Sequence, residues 1–393
     1  MSAARHALIL GSGVFGVTGA LALRRRGFSV TLCDPGPLPH PLASSTDISK
    51  VIRMDYGSDD LTMGWMAEAL AGWDAWNAQW LAQGRRPLYH EDGFLILSRD
   101  PMAPGGFERE SFDRLLARGL RPERLSGEAI HRRYPAWAPG VHVDGYFNPR
   151  AGWAESGAVV AALIEQARDE GVELREGHGA LGLIERRGRV VGARTTSGDI
   201  AAEVVVVAAG AWTPVLLPEL ADRMWPVAQP VLHFKVEVPP RYQAPAFPPW
   251  AADIGRTGWY GFPALADGTL KVANHGPGQR LDPNAPREVP EAAEPRFRAF
   301  LAESLPGLAS SALIGQRLCL YCDTWDGHFF IDQHPDRPGL VVASGGSGHA
   351  FKFAPVLGAL IADVVEGRDH PFRPRVAWRS PGERRFEDAR HKG

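Results

Sequence analysis

Polar and glycine positions divide the first 34 residues into apolar blocks. Ala7 to Leu10 is a short apolar run, GSGVFG follows at Gly11 to Gly16, and Val17 to Arg26 is rich in alanine and leucine up to Gly27. Phe28 to Cys33 is a second run, with Asp34 at its tip. This order predicts a strand, a helix and a second parallel strand, with Gly11, Gly13 and Gly16 at the first turn. Glycine there lets the backbone turn tightly and approach a pyrophosphate, and the helix N-terminus offers free N–H donors. Asp34 stands where a carboxylate accepts hydrogen bonds from a ribose hydroxyl. The pattern predicts dinucleotide binding and does not separate FAD from NAD.

Further along, Trp65, Ala69, Trp73, Trp76 and Trp80 recur at spacings of three and four, predicting a long amphipathic helix over Leu61 to Trp80 whose aromatic face packs into a core. Tyr89 to Ser98 and His142 to Phe147 read as strands, Ala154 to Gly171 as a helix, and Val172 to Arg175, Ala180 to Glu185 and Val190 to Thr196 as strands. VVVVAAGAW, Val204 to Trp212, is a continuous apolar run suited to a parallel sheet covered on both faces. From Leu217 to about Gly315 the chain is rich in proline and aromatic residues and loses the strand–helix rhythm, which predicts a separate, largely antiparallel unit. Gly339 to Ala343 then reads as a buried strand, SGGSGHAFKFAP as a second glycine turn, and Val356 to Glu366 as a helix stopped by Gly367. The last 20 or so residues, charged and proline-punctuated, are expected to be loosely held. The fold class expected is α/β: a Rossmann-like parallel-sheet domain from residues 1–85, 146–218 and 316–393, with a largely antiparallel β substrate domain from 86–145 and 219–315.

Composition narrows the classes. A length of 393 residues suggests about two domains. The net charge of −2, from 43 basic and 45 acidic side chains, leaves no large basic surface for nucleic acid or anionic lipid. Arg24, Arg25 and Arg26 are better placed as cations closing a helix. No segment reaches the roughly 20 apolar residues of a membrane span. With three cysteines a disulfide framework is excluded, and a cytoplasmic setting is expected. Cys319 and Cys322 nevertheless lie three residues apart, in RLCLYCDTWDGHFFIDQHP. Zinc would need His328 and His334 as further ligands; the interval from Cys322 to His328 is short for a finger, and the flanks RL and FFID read as buried strand. A redox pair would need a helix start, which the pattern does not show. No metal site is expected.

Several segments in order carry a resemblance: GSGVFG, SSTDISKVIRMDYG at Ser44 to Gly57, WYGFP at Trp259 to Pro263, LKVANH at Leu270 to His275, CLYCDTWDGHFFIDQHP at Cys319 to Pro335, and GGSGHAFKF at Gly345 to Phe353. Over nearly its whole length the chain resembles the D-amino-acid oxidase and glycine oxidase superfamily of flavoproteins, in particular the branch of monomeric sarcosine oxidase and fructosyl-amino-acid oxidase (amadoriase). The resemblance implies FAD held by Gly11, Gly13, Val14, Phe15, Gly16 and Asp34, by Ser44, Ser45 and Lys50, by Ala180, Ala209 and Gly210, and by Gly346, Ser347, Gly348, His349 and Lys352. It also implies a covalent link through the sulfur of Cys319, with Cys322 a packed residue or a neighbour of the ring edge.

In the same terms, Arg53 and Lys352 match the residues that take the substrate carboxylate; the competing reading pairs Arg53 with Asp55 or Asp47 at the surface. Lys271 matches the cation that favours electron transfer to oxygen, and Tyr260 and His275 match residues lining the substrate cavity. The activity implied is oxidation of the C–N bond of an N-substituted amino acid to an imine, with O2 reduced to H2O2 by a monomer. Thr46 and Lys50 depart from simple sarcosine oxidases toward the amadoriase form, which leaves a fructosyl-amino-acid or other bulky-amine oxidase, or a flavin dehydrogenase with another acceptor, as alternatives. A nicotinamide dehydrogenase and a non-catalytic flavoprotein are the readings from other classes.

Overall fold

The computed structural model describes residues 5–385 and 389–391. Strand β1 (His6–Leu10) leads through helix α1 (Val14–Arg25) into β2 (Ser29–Asp34), the predicted unit with the helix starting three residues early. β1 lies inside a six-stranded sheet ordered Phe330–Gln333, Leu340–Ser344, Val204–Val207, β1, β2, Glu173–Glu176. All pairings are parallel except that of the edge strand Phe330–Gln333. Helices cover the sheet, so Ala7, Leu8 and Ile9 of β1 and Val205 and Val207 are all fully buried, as the unbroken apolar runs require.

Small residues set the helix packing. A Cβ at Gly358, in the helix Ala354–Glu366, would sit 2.3 Å from the Thr18 carbonyl oxygen of α1. Basic side chains close α1 as expected: Arg25 pairs with Glu170 at 2.6 Å and Arg26 with Asp363 at 2.7 Å.

Helix α2 (Asp60–Ala82) begins at Asp59, whose side chain accepts from the Thr62 N–H at 3.1 Å. Trp65, Trp73 and Trp80 are buried, so the aromatic stripe is a packing face. Trp65 is stacked between Phe353 at 4.6 Å and Phe372 at 4.0 Å, and Trp73 Nε1 donates to the Lys352 carbonyl oxygen at 2.8 Å. Through these contacts α2 holds the turn that carries Lys352.

Besides two three-stranded sheets, one of Ala180–Arg186, Arg189–Thr195 and Gly198–Ala201 and one of Lys50–Ile52, Gly152–Ala154 and Tyr89–His90, the chain builds a nine-stranded sheet. Its long strand Met224–Lys235 pairs antiparallel with Ala312–Thr324 and with Thr269–Asn274. Trp259–Gly261 and Trp250–Ala252 follow; the latter runs parallel to Phe94–Ser98, beyond which lie Asp144–Asn148 and Glu123–Ser126. Strands Asp144–Asn148 and Ala312–Thr324 each run across a domain division expected from the sequence.

Two local departures have physical causes. The run Tyr89 to Ser98 is two strands, because Gly93 takes φ +76° with a Cβ position 2.0 Å from the Phe147 ring. The proline-rich stretch also contains a helix, Ala293–Ser304, whose Phe297 and Phe300 pack on Trp259 at 4.9 and 4.4 Å. Among the described residues no helix is long and apolar enough to cross a membrane.

Candidate active site

At the carboxyl ends of β1, β2 and Val204–Val207 lies a cavity of about 400 Å³. Gly11 forms its floor with φ +109°, and a Cβ there would sit 2.5 Å from the Ala208 carbonyl oxygen. A Cβ at Gly16 would meet the Gly11 carbonyl oxygen at 1.8 Å, so both positions require glycine. α1 starts at Gly13 with no side-chain cap, apart from a 3.3 Å bond from the Val14 N–H to Ser45 Oγ, and its N-terminus faces the cavity. Asp34 is 5% exposed; its Oδ2 accepts from the N–H and Oγ of Ser12 at 2.9 and 2.8 Å, and its Oδ1 accepts from the Gly36 N–H at 3.1 Å. A glycine cradle, a helix N-terminus and an acidic strand tip fit the pyrophosphate and ribose of a dinucleotide.

Of the residues expected at the cofactor, Gly11, Gly13, Val14, Phe15, Asp34, Ser44, Ser45, Lys50, Ala180, Ala209, Gly210, Gly346 and Gly348 line this cavity. Turns more than 300 residues apart therefore share one wall. Gly16, Cys319, Ser347, His349 and Lys352 are not in the lining. Ser347 instead locks the late turn to the strand before it: its N–H donates to the Cys322 carbonyl oxygen at 2.9 Å, and its Oγ accepts from the Thr324 N–H at 3.1 Å.

The two neighbouring thiols go different ways. Cys319 is 1% exposed and packs with Val231, Ala273, Tyr321 and Tyr260, whereas Cys322 lines the cavity and belongs to the core around Leu10, Cys33 and Phe330. Burial pushes the Cys322 thiol up to about 12, partly offset by its contact with Ser344 Oγ at 3.7 Å, so it stays protonated.

Two further groups of polar side chains stand out, the second of which reaches the cavity through Tyr321 in its lining. In the first, Arg53 is 5% exposed, with its Cζ 5.3 Å from the Tyr56 ring centroid and 5.5 Å from that of Phe107. Its Nη1 is buried with no hydrogen-bond partner among the described residues. Lys352 Nζ donates to Tyr56 Oη at 3.0 Å, and His349 Nδ1 contacts the same oxygen at 3.0 Å. The surface pairing of Arg53 is excluded: Asp55 is buried and accepts from Tyr146 Oη at 2.7 Å and Asn148 Nδ2 at 3.2 Å, while Asp47 is bonded elsewhere.

In the second group, Tyr260 Oη lies 3.4 Å from Tyr321 Oη, and the Tyr321 ring lies 5.9 Å from His275. Burial drives the Tyr260 phenol up, so it remains protonated. Lys271, 1% exposed, donates to the Asp47 carboxylate and to the Ser49 carbonyl oxygen at 2.7 Å. Two buried cations thus differ in their pairing: the Arg53 guanidinium has an Nη1 without a partner among the described residues, whereas the Lys271 ammonium is held by a carboxylate.

Three participants were not found from sequence. Tyr321 could have been, since strand alternation places it on the face of Cys319. Asp47 carries no signal of its partner, 224 residues away. Arg390 lies in the segment expected to be loose, yet is 2% exposed and donates to Asp323 Oδ1 at 2.7 Å and to the Gly276 carbonyl oxygen at 3.0 Å. The His391 N–H donates to the His275 carbonyl oxygen at 3.0 Å. Within that segment, 386–388 and 392–393 fall outside the described residues.

Residues 6–364 match the sequence profile of the FAD dependent oxidoreductase family. The chain is 27% identical over 370 residues to monomeric sarcosine oxidase of Bacillus sp. (strain B-0618), covering 93% of both proteins. It is 28% identical over 376 residues to N-methyl-L-tryptophan oxidase of Salmonella heidelberg (strain SL476), covering 93% of this chain and 95% of that one. In three dimensions it is similar to the deglycating fructosamine oxidase of Aspergillus fumigatus (Amadoriase II), with TM-score 0.84 and 26% identity over 100% of this chain and 94% of that one. With a dinucleotide cradle at the predicted place and a profile match from β1 to the last long helix, the chain belongs to the FAD dependent oxidoreductase family.

Proposed function

We propose that the protein oxidises N-substituted (secondary) amino acids at the C–N bond, giving an imine, and reduces O2 to H2O2. The observation that carries this reading is Arg53, a guanidinium 5% exposed whose Nη1 has no partner among the described residues, set against the same tyrosine that receives the Lys352 ammonium. A buried, incompletely paired cation is costly unless an anion completes it, and a substrate carboxylate does so with charge-assisted hydrogen bonds. FAD, when bound, supplies the two-electron acceptor for the amine.

Arg53 and Lys352 fix the carboxylate end, and Tyr260 and His275 wall the amine end. Lys271 provides positive charge where oxygen gains electrons. Cys319 is the residue proposed to join the cofactor, supported by its place beside Tyr260 and Tyr321 and by the resemblance in its segment. The likeness to a monomeric sarcosine oxidase supports a monomer, and three free, buried cysteines fit a cytoplasmic setting. Thr46 and Lys50, together with the fructosamine oxidase likeness, favour a second reading in which the nitrogen carries a sugar-derived arm.

Anaerobic mixing with N-methyl amino acids, cyclic imino acids and fructosyl amino acids decides between these while flavin absorbance is followed. Bleaching by at least one class is expected, and bleaching by none would remove the proposed activity. Acid precipitation should leave the colour on the polypeptide in the natural protein and release it from Cys319→Ala; release from both would remove the tether.

A further inference from the structure

The Asp47 carboxylate, 4% exposed, receives the Lys271 ammonium, accepts from the Ile48 N–H at 2.7 Å and lies 3.7 Å from His233 Nε2. Its backbone carbonyl accepts from Ser156 Oγ at 2.6 Å and from the Gly157 N–H at 2.8 Å, at the start of the helix Ser156–Asp169. A helix thus anchors the backbone of Asp47 while a lysine anchors its side chain. On either side of it in sequence, Ser44, Ser45 and Lys50 line the cofactor cavity. One short segment therefore forms cavity wall and grips the lysine assigned to oxygen.

We propose that Asp47 is a positioning residue for the oxygen half-reaction, fixing the Lys271 ammonium in place and keeping it charged. This rests on the role given to Lys271 in the proposed function. A fully buried lysine is driven toward its neutral form, and a neutral amine cannot stabilise charge developing on oxygen. Burial pulls Lys271 down to about 8 and Lys50 acts in the same direction; Asp47 opposes both, with a smaller contribution from Cys319. Despite its own burial, Asp47 is held well below the usual carboxylate range by Lys271, by the nearby His233 imidazole and by Lys50. The other titratable neighbours are His233, directly across the ladder from Lys271, and Tyr260, which feels the same carboxylate. The sign follows. Lys271 is protonated below about 8, and without Asp47 it releases its proton at lower pH, so oxygen reactivity must fail earlier as pH rises.

The test needs no amine. Holoenzyme is reduced anaerobically with dithionite and mixed with O2 from about pH 6 to about pH 9. The natural protein should keep its reoxidation rate to near pH 8. Asp47→Asn should lose at least about tenfold at the upper end and recover at the lower, and Asp47→Glu should resemble the natural protein. Independently of turnover, the visible spectrum of the oxidised bound flavin should show an inflection near pH 8 that moves lower in Asp47→Asn and disappears in Lys271→Met.

The same inflection in Asp47→Asn and the natural protein would overturn the proposal. Unchanged reoxidation in Lys271→Met would overturn it as well, whereas failure of every amine to bleach the flavin would count only against the substrate assignment. Should Asp47→Asn not fold, Asp47→Asn/Lys271→Met decides: recovery identifies the bare lysine as the fault and supports the proposal, and no recovery overturns it.

Discussion

Arg53 and Lys271 show how differently two buried cations can be kept. Arg53 leaves Nη1 without a partner among the described residues, and under the proposed function its pairing is left to a ligand. Hydrogen bonds to charged groups contribute about 1.5–3 kcal/mol each, which is about 10- to 100-fold in binding. Arg53→Gln should therefore weaken a non-oxidisable carboxylate such as acetate by about that factor, measured as the shift in the dissociation constant from flavin spectral titration. Reoxidation of the reduced enzyme by O2 should be unaffected, because Lys271 is untouched; equal loss of both would mean that the substitution disturbed the whole site. At this scale the sequence was legible where a residue sits inside a motif, as Arg53, Lys271 and Lys352 do. It was not legible where a contact joins distant segments. Asp47 reads in the sequence as a surface partner of Arg53, since sequence shows neither the burial of both nor the strand that brings Lys271 to Asp47.

Elements position these side chains, and their own requirements are steric. β1, α1 and β2 could be read in advance because apolar runs and glycine spacing are local signals, and the late strand, turn and helix could be read for the same reason. The helix Ala293–Ser304 was missed: prolines before and after it obscure a short amphipathic pattern whose aromatic face is defined only by Trp259 across the core. Gly11→Ala should abolish cofactor retention, because its Cβ would lie 2.5 Å from the Ala208 oxygen at a φ that alanine resists; the flavin-to-protein absorbance ratio after purification measures this. At the other turn, Trp65→Ala removes the ring stacked between Phe353 and Phe372. Emptying such a site costs about 3–5 kcal/mol. The loss should appear as a lower unfolding midpoint together with weaker carboxylate binding, since Phe353 adjoins Lys352. A stability change with intact carboxylate affinity would separate α2 from the anion site.

Across the whole molecule, the chain crosses between its two largest sheets within a few residues: Ala312–Thr324 ends in the nine-stranded sheet and Phe330–Gln333 opens the edge of the six-stranded one. Asp323 sits at that crossing, 2% exposed, and its cation comes from Arg390 near the far end of the chain, equally buried. Composition marked this terminal segment as charged and loosely held, since nothing local reveals that one of its arginines neutralises a core carboxylate. Breaking a buried pair from one side strands the other charge, at a cost of about 3–5 kcal/mol, while removing both charges is far less damaging. Arg390→Met should thus lower the unfolding midpoint by several degrees, and Asp323→Asn/Arg390→Met should recover most of it. Because the adjoining His391 N–H is bonded to the His275 carbonyl oxygen, the single variant should also free the end of the strand Thr269–Asn274 and raise the substrate KM, with flavin content preserved. If the double variant were as unstable as the single one, the pair would be packing without electrostatic coupling, and the terminal segment would owe its place to its backbone contacts alone.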